Sequence, residues 1–276
     1  MPNLENHDIH SQTQFLIKFC KESVKFLYNL ILVLIGREDA KKLLEPLRLF
    51  FQFIFQAKVT IYLIITNILI YYIFLLFIYF GKINPDIIYN YIWYPKNILT
   101  LNFFPMISSM FLHANAKHLF MNMFGIFIFG RIVEHKIGPF KTLFIYFFAG
   151  VISTLFTSII YLFFIHDNTG SLGASGALMG LVSAAIVSAP FYLTYNFIIP
   201  IPVMILGWIT ILSDLKGLLS PVQDNVGHLA HLFGFFSVTL WYYFLGEHQQ
   251  HEIKIGLIVN IVSLLMFAAI ALYIIL

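Results

Sequence analysis

Three short groups of polar and small residues have the types and spacing to do chemistry together. The string Gly-Ala-Ser-Gly at 173–176 supplies the hydroxyl of Ser175, the string at 228–234 supplies two imidazoles, and a further imidazole and amide come from His118 and Asn122. A serine becomes a nucleophile when a base takes its proton, and histidine is the usual base. The residue types therefore predict acyl transfer.

The spacing within these groups favours the same interpretation. His118 and Asn122 are four residues apart, which places them on one face of a helix. Ser175 lies at the predicted start of a helix, where free backbone N–H groups and the positive end of the dipole suit an oxyanion. Small residues recur on the two segments that would carry the serine and the base: Gly176, Gly180, Ala184, Ala230, Gly234 and Ser237. Such residues permit the close helix approach that a serine–histidine hydrogen bond requires.

The elements that must position these groups are membrane helices. Sixty per cent of the 276 residues are hydrophobic and 11% are charged, whereas a soluble domain has roughly a quarter of its residues charged. Seven apolar segments are predicted to span a membrane: 59–80, 117–132, 139–165, 174–190, 197–213, 228–245 and 254–276. The three chemical groups open the second, fourth and sixth spans, so alternating topology predicts that they lie at one depth.

The remaining segments are predicted to lie at the membrane surface. Segments 15–36 and 38–56 are amphipathic and too polar to span, and the aromatic stretch 81–116 is typical of the interface. We predict surface helices at 1–57, a catalytic core at 58–246 and an additional C-terminal span at 247–276. With the N-terminus in the cytoplasm, the inner segments hold 12 of the 16 lysines and arginines, which favours that orientation in a cell membrane.

Other classes of function fit the composition less well. The basic residues form no aromatic-interleaved patch for nucleic acid, and the single cysteine, Cys20, excludes a disulfide framework and a multi-cysteine metal site. We expect no Asp or Glu inside any span apart from Glu134 at an inner end, which argues against a proton-coupled carrier and an aspartyl protease. The sequence contains no His-Glu-x-x-His string, which argues against a zinc-type intramembrane protease. We therefore expect no metal and no cofactor.

Together, the motifs resemble those of the rhomboid intramembrane serine proteases over about residues 59–246. The resemblance rests on His113 and His118 with Asn122, on the string at 173–176, and on Ala230-His231 followed by Gly234. It implies an all-α membrane fold with a six-helix core, here followed by a seventh transmembrane helix. The sequence differs from the family pattern in lacking a Trp-Arg pair at 81–116, in Phe233, and in Val238, which we expect to loosen packing of the sixth span.

The resemblance also implies the roles of the site residues. Ser175 would be the nucleophile and His231 the general base, in a dyad without a carboxylate. The Ser175 N–H, His118 and Asn122 would hold the oxyanion, while three glycines would support the site: Gly173, Gly176 and Gly234. The implied substrates are transmembrane helices of other proteins, entering between the second and fifth spans under a loop at 214–227. The alternative is an inactive rhomboid-like protein that binds transmembrane helices without cutting them.

Two histidines of the sixth span compete for the role of base. His231 lies deeper and is followed by Gly234, whose missing side chain allows close approach to the fourth span. We expect His228 to lie near the water boundary, where it caps the helix or contacts the outer loop. We therefore predict that His231 is the base.

Overall fold

The described part of the chain is mostly helical. The structure, a computed structural model, describes residues 44–194, 200–220, 226–241 and 246–275, together with scattered positions between 18 and 35. The predicted surface helix at 15–36 lies largely outside the described residues. The second predicted surface helix, at 38–56, is observed as α1 from Glu45 to Phe55.

A helix is present for each of the seven predicted spans. In chain order, the remaining α-helices are α2 (Lys58–Tyr79), the short α3 (Phe104–Ser108), α4 (Ala116–Gly125), α5 (Arg131–Ile137), α6 (Pro139–Ile160), α7 (Ser175–Ser188), α8 (Val203–Leu219), α9 (His228–Trp241) and α10 (Glu247–Ile275). Three short 3₁₀ helices lie between α2 and α4: Pro85–Asn90, Pro95–Ile98 and Ser109–Phe111. A π-helical turn at Ile126–Gly130 joins α4 to α5, and another at Tyr161–Ile165 extends α6.

Length and composition identify four of these helices as able to cross a membrane: Lys58–Tyr79, Ala116–Ile137, Pro139–Ile165 and Gln249–Phe267. Two shorter apolar helices, Ser175–Ser188 and His228–Val238, lie among them. Large apolar side chains of α2 and α10 are exposed, as lipid-facing helices require. The protein is therefore an all-α, multi-pass membrane protein, as the composition predicts.

The fifth predicted span is displaced along the chain. Pro200 and Pro202 disfavour a helix over the residues before them, and a short antiparallel pairing of Leu193–Thr194 with Ile201–Pro202 occupies this connection. The helix begins at Val203 and continues to Leu219. The prediction of a span at 197–213 is therefore wrong at both ends, and Asp214 lies inside α8 rather than in a loop.

The central element of the bundle is α7. Its residues from Gly176 to Val187 are buried apart from Leu178, and α6, α9, α8 and α10 pack around it. Only small side chains fit at several of these contacts, because a Cβ atom at Gly180 would lie 2.2 Å from that of Ala149 in α6. Val238 of α9 is buried in the same core at 4% exposure.

A buried carboxylate fixes the start of α2. Glu134 in α5 accepts hydrogen bonds from the backbone N–H groups of Val59 and Thr60, at 3.0 and 2.8 Å, and from the Thr60 hydroxyl at 2.8 Å. The two N–H groups have no partner within their own helix, because they lie in its first turn. A negative charge at this end of a helix also interacts favourably with the helix dipole. Glu134 thus anchors the first span against the second.

The C-terminal helix α10 is bonded into the bundle at the end of α7 remote from Ser175. The Asn260 side chain accepts from Trp208 Nε1 of α8 at 2.9 Å and donates to the carbonyl of Ile186 in α7 at 2.7 Å. One turn earlier, a Cβ at Gly256 would lie 1.8 Å from the Val187 carbonyl oxygen, so the two backbones touch. One asparagine therefore joins three helices.

Asn260→Leu should lower the stability of the bundle. The change leaves the Trp208 N–H and the Ile186 carbonyl without this partner, and we expect a loss of about 1–2 kcal/mol. Thermal unfolding in detergent should show a lower Tm for this variant. Asn102→Leu, at an exposed asparagine of the segment before α3, serves as the control, and equal Tm values for the two variants would contradict the three-helix role.

Candidate active site

The loop before Ser175 requires glycine at position 173. Gly173 has φ +120°, a conformation that L side chains rarely adopt, and a Cβ there would lie 2.7 Å from the His118 ring. Its N–H donates to the Ser109 carbonyl at 2.9 Å. The loop is thereby held against the imidazole at the start of α4.

The aromatic segment before α3 anchors the same loop from the other side. Trp93 is fully buried, and its backbone pairs with Ser171 through N–H to O distances of 3.3 and 2.8 Å in the two directions. The Trp93 indole N–H donates to Ser158 Oγ of α6 at 2.7 Å. The segment predicted to rest at the interface thus also positions the residues that precede the serine.

Ser175 is the first residue of α7 and is half-buried. Its backbone N–H is therefore among those that lack a partner within the helix. At the start of α4, Asn115 accepts from the His118 N–H at 2.8 Å and caps that helix. Asn122 is buried one turn further on, where its Nδ2 donates to the His118 carbonyl at 3.1 Å and lies 3.8 Å from the Cβ position of Gly173.

Helices α7 and α9 meet backbone to backbone beside the serine. A Cβ at Gly234 would lie 2.2 Å from the carbonyl oxygen of Gly176. Ser153 of α6 lies at the same crossing, because its hydroxyl donates to the Ala230 carbonyl at 2.7 Å and a Cβ at Gly176 would lie 2.3 Å from its oxygen. Ser175 directly precedes Gly176 in α7, and His231 directly follows Ala230 in α9, so both candidate residues lie at this crossing.

A carboxylate that the sequence analysis missed lies against the candidate base. Asp214 of α8 is 5% exposed, and its Oδ1 lies 2.8 Å from Nδ1 of His231 and 2.7 Å from Nδ1 of His228. This arrangement departs from the carboxylate-free dyad that the resemblance implies. It also corrects the expectation that no Asp or Glu besides Glu134 lies inside these helices.

The structure also changes the surroundings expected for His228. Its ring packs against α8, where a Cβ at Gly217 would lie 2.1 Å from its Nε2. Asp214 and Gly217 fall in the segment predicted as an outer loop, but both are helical. The proline at position 202 was the signal that could have placed them, because a helix that starts after it and has an ordinary length reaches beyond residue 214.

The Asp214, His228 and His231 side chains also have the composition of a metal site, since their ligand atoms lie within 4.8 Å of one another. Two ligand atoms of one tetrahedral zinc ion, each about 2.1 Å from it, would be about 3.4 Å apart. The observed O to N distances of 2.7 and 2.8 Å are instead those of charge-assisted hydrogen bonds. The geometry therefore favours hydrogen bonding over metal coordination.

Two further imidazoles, those of His118 and His113, lie close to the candidate site. His118 lies near enough to His231 that the two imidazoles would repel each other if both were charged. The His113 ring lies beside that of His118, with ring centroids 5.1 Å apart. Burial, and then the proximity of His118, lower the pKa of His113 to about 4, so that this ring is neutral at pH 7. Within the described residues, no hydrogen bond joins Ser175 to His231, although such bonds are often long before substrate binds.

The fold and site together define a helical membrane protein in which serine, histidine and carboxylate side chains gather at one end of the bundle. Comparison with protein families gives the narrower assignment. The family model for the rhomboid domain matches residues 100–249, more than half of the chain. The chain belongs to the rhomboid family.

Individual relatives are distant and differ in name and compartment. Rhomboid-like protein 11, chloroplastic, of Arabidopsis thaliana is 30% identical over 142 residues, which are 48% of either chain. The rhomboid protease AarA of Providencia stuartii is 34% identical over 89 residues, 29% of this chain and 32% of AarA. The putative rhomboid protease YdcA of Bacillus subtilis is 29% identical over 135 residues, 47% of this chain and 60% of YdcA. The chain therefore spans about half the length of the first of these relatives and about a third of the second.

Gly234→Ala should separate α7 from α9. The new methyl group would overlap the Gly176 carbonyl, which is backbone and cannot rotate away, so we expect a destabilisation of about 1–3 kcal/mol. Thermal unfolding in detergent measures it. Gly246→Ala is the matched control, because a Cβ there meets nothing within 4 Å. A Gly234 variant as stable as this control would show that the helices do not touch at this point.

Proposed function

We propose that the protein is an intramembrane serine endopeptidase that cleaves transmembrane segments of other membrane proteins. The observation that carries this proposal is the backbone contact of Gly234 with Gly176, which brings the helix of His231 against the helix that begins at Ser175. Membership of the rhomboid family supports the class of reaction. The family resemblance and the order of the motifs support Ser175 as nucleophile and His231 as base.

In the proposed reaction, Ser175 Oγ attacks the carbonyl carbon of the scissile peptide bond while its proton passes to Nε2 of His231. The resulting oxyanion would be held by the Ser175 N–H, His118 and Asn122. Each such donor is typically worth about 3 kcal/mol of barrier. Asn122 keeps one amide N–H for this role while the other bonds its own helix, because a carboxamide nitrogen has two hydrogens.

The second half of the reaction returns the proton. His231 would protonate the leaving amine as the C–N bond breaks, and water would then hydrolyse the acyl ester on Ser175, again with His231 as base. The substrate must unwind locally, because a helical carbonyl is already hydrogen-bonded and shielded. Small or helix-weakening residues near the cleavage site are therefore expected.

Several features of the wider molecule belong to the proposal. Residues 58–246 would form the catalytic core, 1–57 the surface helices and 247–276 the additional span. Substrates would enter laterally between the α4–α5 span and α8. The N-terminus would be cytoplasmic and the protein would reside in a cell membrane, whereas the relative from Arabidopsis thaliana is named chloroplastic.

Ser175→Ala should abolish cleavage and leave stability nearly unchanged, because only one oxygen is lost. Purified wild type and variant would be incubated with fluorescent transmembrane substrates, and their Tm values compared. A fluorophosphonate probe should label Ser175 in the wild type only. A variant that cuts as fast as wild type would contradict the proposal. A wild type that binds these helices but neither cuts them nor reacts with the probe would favour the non-catalytic alternative.

His118→Ala and Asn122→Ala should each lower kcat by about 100-fold with little change in KM, since oxyanion donors act chiefly in the transition state. Steady-state kinetics on one substrate separates the two constants. Asn115→Ala provides a comparison, because it weakens the cap of α4 without removing a donor to the oxyanion. Equal losses in kcat and apparent affinity, shared with Asn115→Ala, would assign both residues a structural role instead.

A further inference from the structure

We propose that Asp214 is a positioning residue for His231, which fixes the imidazole as the Nδ1–H tautomer and leaves Nε2 free to accept the serine proton. The catalytic part of this proposal rests on the proposed protease function, while the tautomer can be tested without it. The proposal goes beyond the carboxylate-free dyad implied by the family resemblance.

The bond to Asp214 determines which ring nitrogen of His231 carries the proton. An ionised carboxylate can only accept hydrogen bonds. The 2.8 Å distance from Asp214 Oδ1 to His231 Nδ1 therefore requires the hydrogen to be on Nδ1. In a neutral imidazole the other nitrogen then has a lone pair, which is the form a general base needs.

Asp214 would also stabilise the positive charge that His231 acquires in the reaction. When Nε2 of His231 takes the serine proton, the ring becomes an imidazolium, and a carboxylate bonded to Nδ1 stabilises that cation. The side chains of Asp214 and His231 are 7% and 15% exposed, so water screens their attraction only partly. His118 also lies near His231, and it would disfavour that cation only if it were itself charged.

The buried carboxylate of Asp214 itself needs hydrogen-bond donors. An aspartate within a helix of a membrane protein is expensive unless it is paired. Asp214 is bonded by two imidazoles through the same oxygen, at 2.7 and 2.8 Å. His228 therefore serves as the second donor that satisfies Asp214, and Gly217 leaves the space for its ring. This division of roles explains why two histidines three residues apart both face α8.

The test measures the tautomer and the activity separately. In protein labelled with 15N-histidine, the resonances of His231 are assigned by their loss in His231→Gln. We expect Nδ1–H and an unprotonated Nε2 in the wild type. Asp214→Leu, which removes the acceptor at similar volume, should shift the ring towards the Nε2–H form. Asp214→Asn should show a mixture, because an amide can either accept or donate.

The same variants should lower kcat by between about 10- and 1,000-fold with little change in KM, less than the roughly 10⁴-fold cost of the equivalent change in a serine–histidine–aspartate triad. Asp86→Asn, the same chemical change at an exposed carboxylate between α2 and α3, should match wild type in both readouts. His228→Ala should keep the wild-type tautomer of His231 and substantial activity. Adding Asp214→Leu to His231→Ala should cause no further loss.

The possible failures are distinguishable. An Nε2–H tautomer in wild-type protein would overturn the proposal on its own, even if the Asp214 variants failed to fold. So would full kcat in a folded Asp214→Leu variant of an active enzyme. A change of both histidine spectra on adding EDTA would show that the cluster holds a metal, which also overturns it. If the tautomer is as expected but wild type neither cleaves nor reacts with fluorophosphonate, only the proposed protease function fails.

Discussion

The backbones of α7 and α9 touch where Gly234 lies against the carbonyl of Gly176, and the site depends on this contact. Lipid offers no hydrophobic force to bring helices together, so close packing of small residues must do so. Ser153 strengthens the crossing by donating to the Ala230 carbonyl. With any larger side chain at Gly234 or Gly176, the nearby residues on the two helices, His231 and Ser175, would move apart or turn.

The parts of the site that could be predicted from the sequence are those in which local spacing decides the outcome. His118 and Asn122 share a helix face because they are four residues apart. Ser175 begins a helix because Gly173, with φ +120°, has a backbone conformation that is not helical. The seven helices could be predicted for a similar reason, since long apolar segments in lipid have few alternatives to a helix. The roles assigned to the site residues stay predictions.

The parts that could not be predicted depend on contacts between helices. From the sequence, Asp214 is predicted to follow the end of an apolar segment. In the structure α8 begins after Pro202 and extends to Leu219, so Asp214 lies within the helix. Its meeting with His228 and His231 then follows from how α8 packs on α9, which spacing alone does not reveal. The same holds for Trp93, whose aromatic surroundings predicted an interfacial segment, while its bonds to Ser158 and Ser171 bring it into the core.

Side chains of α8 bond to neighbouring helices at two places along its length. Trp208 is tied to Asn260 of the C-terminal helix, and Asp214 lies six residues later, about 9 Å along the helix axis. A movement of α8 away from α9 that pivots near Trp208 must break the Asp214 bonds to both histidines. If substrates enter beside α8, as proposed, and this movement opens the entrance, His231 would lack its hydrogen bond to Asp214 while the entrance is open. Closure of α8 behind the substrate would then restore the bond to Nδ1 before the serine proton is transferred.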